Sequence, residues 1–272
     1  MQGSPEHQRS GRLWLIAGTG EGPVLAEALL ARGWRLSLSV VGEAAGRAYR
    51  PGPGLQLAVG AIGAAEGLTP EQGVERELAA ADRAGDPYAW VVDASHPFAT
   101  GISTALAAVC GPRHQPLVRL GRLLEPLEEA VLLQDLTDLE GCAARGERLL
   151  LAIGARHLAV AVRHSSGAVH HARLLPDAKA LRIAMAAGLA PGHVACLRPG
   201  GEGRIEAALC RRWRIDAVLC RQSGGATEAL WRRICRDQGL ELRLVMRPPE
   251  PAGVRILPLA ELLAHVGSSE RA

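Results

Sequence analysis

The segment Asp-Ala-Ser-His-Pro-Phe-Ala at residues 93–99 most strongly constrains how this chain can fold. It follows a short apolar run at residues 89–92, typical of a buried strand, and precedes a helical pattern at residues 101–110. We therefore expect it to lie where a strand ends and a helix begins, the point at which ligands bind in open parallel sheets. The spacing alone leaves a second interpretation open, in which Asp93 or Ser95 only caps the helix.

A second junction of this kind lies near the N-terminus. The apolar run at residues 13–17 is followed by Gly18-Thr19-Gly20-Glu21-Gly22, and Pro23 then opens a helical pattern. Such a turn presents free N–H groups to a pyrophosphate, although its glycine spacing is not GxGxxG and a merely tight turn is the alternative. In a doubly wound sheet of order 3-2-1-4-5, strands one and four are neighbours. The two junctions would then flank one crevice.

Charged residues follow the second predicted strand, residues 34–41. Glu43 and Arg47 lie at the position that meets the adenosine ribose in dinucleotide-binding folds. An acid there prefers NAD, whereas an Arg holds the 2′-phosphate of NADP, so the two residues give conflicting indications. We assign Arg47 to NADPH, and two solvated loop charges are the alternative.

The strand and helix pattern breaks near residues 121–129 and then restarts. We therefore predict a domain boundary there, with an N-terminal Rossmann-like, NADPH-binding domain at residues 12–125 and a second domain at residues 126–267. In the second half, the predicted buried strand at residues 216–220 leads into Arg221-Gln222-Ser223-Gly224-Gly225 and a helical pattern. This repeats the arrangement of the first half, although a plain helix start is the alternative for the Ser-Gly-Gly turn. The last strand is predicted at residues 242–246.

Composition excludes several classes of protein. Of 272 residues, 48% are hydrophobic and 22% charged, as in soluble globular proteins. No apolar run reaches about 18 residues and no secretory signal is evident, so we expect no membrane span and a cytoplasmic location. A formal net charge of +3 is too small to indicate nucleic-acid binding. The scattered Cys residues and the neighbouring His residues form no metal-ligand pattern, so no metal site is predicted.

Three motifs together resemble the precorrin-6A reductase family of cobalamin (vitamin B12) biosynthesis, which includes the cobalt-precorrin-6A reductases. They are Gly-Thr-x-Glu at residues 18–21, the segment at residues 93–99, and Ser-Gly-Gly at residues 223–225. The resemblance extends from Leu13 to Pro248. It implies an α/β fold of two Rossmann-like domains with parallel sheets facing a central cleft. The C-terminal domain, residues 126–267, is the substrate-side domain that this resemblance implies. It also implies reduction of one double bond of the precorrin-6A macrocycle with NADPH; the oligomeric state is undefined, and a monomer is the working expectation.

The resemblance also implies roles for individual residues. The expected cofactor-binding residues, with Arg47 added, are Gly18, Thr19, Gly20 and Glu21. The expected residues at the reacting face are Asp93, Ser95 and His96. The expected substrate-binding residues, from the resemblance and from the carboxylates of the macrocycle, are Arg119, Arg221, Gln222, Ser223, Gly224 and Gly225, with Arg122 and Arg198 as further candidates.

We expect Asp93 to supply or relay the proton that accompanies hydride addition, with a buried cap as the alternative, and His96 to position the cofactor or the loop.

The second half departs from the family pattern. Arg221-Gln222 replaces Lys-Asp, Leu197-Arg198-Pro199-Gly200 replaces Gln-Gly-Pro-Phe, and Ala152-Ile153 replaces Thr-Thr. Two other hypotheses therefore remain. One is a different NADPH-dependent oxidoreductase on the same scaffold with a smaller substrate, and the other is a non-catalytic dinucleotide-binding sensor.

Overall fold

The strands form two parallel sheets of six strands each within the residues that this computed structural model describes, which are 11–124, 126, 130–198 and 202–267. In chain order the strands are β1 (Arg12–Ala17), β2 (Arg35–Val40), β3 (Leu55–Val59), β4 (Tyr88–Ala94), β5 (Leu117–Leu120), β6 (Ala130–Leu133), β7 (Arg148–Leu151), β8 (Val169–Leu174), β9 (Val194–Cys196), β10 (Ala217–Arg221), β11 (Glu241–Val245) and β12 (Arg255–Leu257).

The helices lie between these strands along the chain, except α10, which follows β12. In chain order they are α1 (Gly22–Leu30), α2 (Glu43–Gly46), α3 (Pro70–Arg83), α4 (Thr100–Cys110), α5 (Leu139–Cys142), α6 (Leu158–His164), α7 (Ala178–Ala186), α8 (Arg204–Trp213), α9 (Ala226–Gln238) and α10 (Leu259–Val266). The start of α3 shows how the sequence determines a boundary. The Thr69 hydroxyl accepts from the Gln72 N–H, the Gln72 side chain accepts from the Thr69 N–H, and Pro70 occupies the first turn.

The first sheet has the order β12-β5-β4-β1-β2-β3. β1, at its centre, is apolar on both faces because helices cover both. Leu13 and Leu15 of β1 pack into one core with α1 and α10, whereas Trp14 and Ile16 pack into a second core with α3 and α4. β1 lies between β2 and β4, and Ile16 is paired with Asp93. The predicted adjacency of strands one and four is therefore confirmed.

The second sheet has the order β6-β11-β10-β7-β8-β9. Counted from β7, it repeats the 3-2-1-4-5 order of the first sheet. One of its cores packs Val218 of β10 and Leu244 of β11 against Trp231 and Ile234 of α9. The predicted fold class, α/β with two Rossmann-like parallel sheets, is confirmed.

The chain divides into two compact units. Among the described residues, unit 1 contains residues 11–123 and 248–267, and unit 2 contains residues 124–247. The prediction that the second domain runs to residue 267 is wrong at its C-terminal end. β12 pairs with β5, Ile256 lying opposite Arg119, so the chain returns to the first sheet.

The sequence analysis did not predict β6 and β12, two of the four edge strands, because three or four residues carry too little pattern. Residues 125 and 127–129 of the predicted linker, and Pro199 and Gly200 of the family departure, lie outside the described residues.

Candidate active site

The glycine-rich turn after β1 and the loop after β4 lie side by side in unit 1. A Cβ placed on Gly18 would lie 3.6 Å from the backbone nitrogen of His96 and 3.8 Å from the Cα of Ser95. The parallel register of β1 and β4 brings this about, since Ala17 is paired with Ala94 and both strands end there. The structure thus brings the two predicted motifs to one point at the carboxyl edge of the sheet.

Arg122, just after β5, forms hydrogen bonds to both the glycine-rich turn and the loop after β4. Its Nε donates to Glu21 Oε1 at 3.0 Å, its Nη2 donates to Thr19 Oγ1 at 2.8 Å, and its Nη1 donates to the Ser95 carbonyl at 3.5 Å. The Arg122 side chain is only 5% exposed. It is therefore built into this edge of the sheet, and sequence reasoning had considered it only as a ligand for substrate carboxylates.

The environment of Glu21 favours its carboxylate form. Burial would raise the pKa of Glu21, but the hydrogen bond with Thr19 and the charge of Arg122 outweigh burial and lower that pKa. Glu21 is thus an anion that holds Arg122 at neutral pH. The contact of Glu21 with the cofactor remains a prediction.

Asp93 and Arg119 form an ion pair beneath the β4–α4 loop. Their side chains are 3% and 2% exposed. Arg119 Nη1 donates to Asp93 Oδ2 and, at 2.6 Å, to the Ser103 hydroxyl, while its Nε donates to Glu250 Oε2 at 2.6 Å. The other carboxylate oxygen of Asp93 accepts the Ser95 N–H at 2.9 Å.

These contacts change the interpretation of both residues. Arg119 was predicted to bind substrate, but its guanidinium is buried and bound to Asp93, Ser103 and Glu250, so the structure does not offer it to a ligand. Both oxygens of Asp93 accept hydrogen bonds within the protein, so its geometry is that of a residue that positions the loop. The alternative of a buried cap describes Asp93 better than the role of proton donor.

Ser95 and His96 differ in how far they are accessible. The Ser95 hydroxyl is buried, 3.2 Å from the Ser103 hydroxyl and 3.2 Å from Arg119 Nη1, its donor. His96 is half-buried, its Nδ1 accepts the Phe98 N–H at 3.1 Å, and the His96 and Phe98 rings lie 5.7 Å apart. In the neutral ring that bond leaves the proton on Nε2. Of the three predicted catalytic residues, His96 alone is not buried.

Gly22 and Gly20 meet different surroundings. A Cβ on Gly22 would collide with the hydroxyl of buried Tyr49 and would lie 3.1 Å from the Ala17 side chain, so α1 can approach β1 this closely only with glycine there. A Cβ on Gly20 would have nothing within 4 Å, and Gly20 is exposed. The turn is therefore packed on its inner side and open at Gly20.

Arg47 lies at the carboxyl end of β2, just after α2. Its side chain is 71% exposed and forms a surface ion pair of 3.5 Å with Glu43. This position is consistent with both interpretations of Arg47. An exposed guanidinium can be a solvated loop charge, and it can also bind the 2′-phosphate of NADP.

The loop after β10 in unit 2 is held by its own contacts. The Gln222 side-chain oxygen accepts the Arg247 N–H at 3.1 Å, and the Gly224 N–H donates to Glu228 Oε2 at 2.7 Å. Glu228 is fully buried in the first turn of α9, where it also accepts from Arg232 Nε at 2.8 Å. Gln222 and Ser223 are buried, which limits what they offer to a ligand.

Arg221, at the end of β10, is only half-buried. Burial, and next the charge of Arg156, lower its pKa. Sequence reasoning missed Ser103 and Glu250, because their partner Arg119 lies on another element and only the folded register reveals the contacts. It also missed Glu228, whose partners Gly224 and Arg232 lie four residues to either side.

Two general features of the described residues bear on function. No group of three or more His, Cys, Asp or Glu side chains in the described ranges is arranged to hold a metal ion. No helix in this part of the chain is long and apolar enough to cross a membrane.

Comparison with known proteins agrees with this architecture. The family model for "Precorrin-6x reductase CbiJ/CobK" matches residues 12–266. A cobalt-precorrin-6A reductase from Synechocystis sp. is 31% identical over 244 residues, which cover 87% of this chain and 88% of that protein. A precorrin-6A reductase from Mycobacterium tuberculosis is 30% identical over 251 residues, which cover 89% and 91%.

A solved structure of the CobK precorrin-6A reductase shares the fold. It superposes with a TM-score of 0.72 at 23% identity, and the match covers 95% of this chain and 98% of that one. At this identity the likeness establishes the fold of the chain.

Proposed function

This chain belongs to the precorrin-6x reductase family, and we propose that it reduces one carbon–carbon double bond of precorrin-6A, or of cobalt-precorrin-6A, with NADPH as the hydride donor. The enzyme is thus an oxidoreductase of cobalamin biosynthesis acting on a tetrapyrrole. Support for the cofactor comes from one observation above all. The glycine-rich turn and the loop at residues 93–99 meet at the switch point of the first sheet, where such folds bind dinucleotides.

The residues at this edge fit a dinucleotide. Open space at Gly20 leaves room for a pyrophosphate to approach the backbone, and α1 begins directly after the turn. Arg47, exposed beyond β2, is our candidate for the 2′-phosphate. When bound, NADPH supplies the hydride, and the protein supplies orientation and charge.

We assign different roles to the three residues of the β4–α4 loop. Asp93 and Ser95 are positioning residues, because their side chains contact the buried Arg119. His96 is the candidate for contact with cofactor or substrate, because it is half-buried, whereas Asp93 and Ser95 are buried. In unit 2, Arg221 and the Ser223–Gly225 turn are candidates for binding the substrate.

Substitution of Gly20 tests cofactor binding without disturbing the fold. A Val side chain at position 20 meets no atom of the protein within 4 Å of its Cβ, so Gly20→Val should keep the wild-type unfolding midpoint. The same side chain would occupy space that the pyrophosphate needs. We expect the Kd for NADPH to rise at least about tenfold, a loss of about 1.4 kcal/mol in binding. Fluorescence titration of NADPH measures it.

The matched control is Gly141→Val in unit 2. Gly141 is exposed and its added Cβ also meets nothing within 4 Å, so this variant should keep both its stability and its affinity for NADPH. Wild-type affinity in the Gly20→Val protein would remove the turn from the proposed cofactor site.

A further inference from the structure

Arg122 lies where three neighbouring strands of the first sheet end. β5 pairs with β4 and β4 pairs with β1, all in parallel, so the segments that follow these strands leave the same edge of the sheet. Neighbouring strands are about 4.8 Å apart, so roughly 10 Å separates β5 from β1 at this edge. A residue just after β5 therefore needs a long side chain to reach the turn after β1.

The Arg122 guanidinium uses all three of its nitrogens to bond to both segments. Nε and Nη2 donate to the two carboxylate oxygens of Glu21, at 3.0 and 3.5 Å, and Nη2 also donates to Thr19 Oγ1 at 2.8 Å. Nη1 donates to the Ser95 carbonyl at 3.5 Å. Because a guanidinium is planar and rigid, these bonds fix the turn and the loop relative to each other.

The turn has an internal hydrogen bond that does not involve Arg122. The Gly22 N–H donates to the Thr19 carbonyl at 3.2 Å. The Arg122 side chain is 5% exposed and that of Glu21 is 34% exposed, so water can still solvate the carboxylate if the guanidinium is removed. Loss of the guanidinium should therefore change the position of the turn relative to the loop more than it changes the shape of the turn.

We propose that Arg122 is a positioning residue that fixes the separation of the glycine-rich turn and the β4–α4 loop, so that a dinucleotide bound at the turn is held against His96. The proposal rests on the proposed function, because the dinucleotide is NADPH. Sequence reasoning considered Arg122 as a ligand for substrate carboxylates, but its guanidinium is buried and bonded to both segments. Arg122 acts through these segments and takes no part in hydride transfer.

Steady-state kinetics of Arg122→Gln tests this role in the reaction. We expect the KM for NADPH to rise about tenfold and kcat to fall about tenfold, because the turn and the loop no longer hold the cofactor in one geometry. The KM for precorrin-6A should stay within about twofold of the wild type. Arg122→Lys keeps the charge but loses the planar fork, so its constants should lie closer to those of Arg122→Gln than to those of the wild type.

The control is Arg76→Gln, which removes the same charge from an exposed ion pair of 2.9 Å with Glu66. It should match the wild type in every constant. A rise confined to the KM for precorrin-6A in Arg122→Gln would overturn the positioning role and assign the guanidinium to the substrate. Wild-type constants in Arg122→Lys would also overturn it, because charge without the fork would then be sufficient.

Amide hydrogen exchange in the protein without cofactor tests the link between the two segments, even if Arg122→Gln fails to fold. In the loop, the Phe98 N–H donates to His96 Nδ1 at 3.1 Å. Glu21→Gln changes only the turn but weakens the hold on Arg122, so exchange at Phe98 should rise about fivefold. The rise is measured relative to the Val91 N–H in β4, which donates to the Pro116 carbonyl at 2.9 Å.

Failure of this inference and failure of the proposed function are distinguishable. If the wild type binds NADPH and reduces precorrin-6A but Arg122→Gln has the same constants, the inference alone fails. If the wild type neither binds NADPH nor reduces either form of precorrin-6A, the proposed function fails. Exchange at Phe98 in Glu21→Gln still decides the positioning role in that case, since a rise would support it and the wild-type rate would overturn it.

Discussion

At the scale of single residues, the buried pair of Asp93 and Arg119 dominates the first unit. The guanidinium also holds Ser103 and Glu250, and the carboxylate also holds the Ser95 backbone, so the pair joins β4, β5, α4 and the segment after β11. Removing the charge of Asp93 would leave the buried Arg119 guanidinium with one carboxylate partner, Glu250, in place of two. The loop at residues 93–99 therefore depends on Arg119 for its shape.

Replacement of Asp93 should destabilise the protein. Asp93→Asn keeps the size of the side chain but removes the charge opposite Arg119, and we expect the free energy of unfolding to fall by about 3 kcal/mol. Urea denaturation measures the change. In contrast, Glu43→Gln breaks only the exposed pair with Arg47 and should cost less than about 1 kcal/mol. Unchanged stability of Asp93→Asn with abolished turnover would instead favour the original hypothesis that Asp93 handles the proton.

The sequence allowed part of this residue-level description to be predicted. Asp93, Ser95 and His96 were identified from one segment because polar residues between an apolar run and a helical pattern mark a strand end. The partner of Asp93 is 26 residues away, on a different strand. Periodicity indicates that Arg119 lies on a strand, but only the pairing of β4 with β5 shows that it faces Asp93.

At the scale of elements, Arg122 connects the β1–α1 turn to the β4–α4 loop. It does so through Glu21, whose carboxylate is favoured by Thr19 and by Arg122 itself. Because the pKa of Glu21 is lowered in the folded state, its contribution to stability is complete above its ordinary pKa. That contribution is lost as the pH falls through the lowered pKa of the folded state.

Glu21→Gln should therefore have a pH-dependent effect on stability. Near pH 7 we expect it to lower the free energy of unfolding by up to about 1 kcal/mol, since Glu21 is partly exposed. The difference from the wild type should shrink as the pH falls below the ordinary Glu value of 4.5. Urea midpoints across this range measure the difference.

The control is Glu27→Gln, at an exposed position of α1. Its effect on stability should not change with pH as that of Glu21→Gln does. If Glu21→Gln destabilised the protein equally at all pH values, the ion pair of Glu21 with Arg122 would not be the source of the stabilisation.

Strand order and strand number were predictable to different degrees. The apolar runs that became β1, β4 and β10 are five to seven residues long and were recognised directly. β6 and β12, with four and three residues, were not. Both lie at sheet edges, where one neighbour is missing and fewer positions need to be apolar.

At the scale of the whole molecule, two sheets share one strand order, and each has a sixth strand beside its fifth. In the first sheet that strand is β12, from the end of the chain, whereas in the second it is β6, from the connection that precedes β7. The repeated arrangement was predictable from the similar patterns of the two halves. The return of the chain to the first sheet was not, because no local signal marks which sheet a three-residue strand joins.

The two switch points carry different chemistry. The first combines a glycine-rich turn with Asp93 and Glu21, whose charges are matched by Arg119 and Arg122. At the corresponding edge of the second sheet, the loop after β10 is held by the side chains of Gln222 and the buried Glu228. The glycine-rich turn supports our proposal of a dinucleotide at the first.

Oxidation of NADPH on addition of precorrin-6A, with and without cobalt in the macrocycle, tests the central claim most directly. Loss of NADPH absorbance by the wild type with at least one form, and a higher KM for NADPH in Gly20→Val, is the result we expect. The form that reacts also identifies the substrate. Persistence of the NADPH absorbance with both forms, in protein that binds NADPH, would contradict the reductase assignment and favour the dinucleotide-binding sensor or a reductase of a smaller substrate.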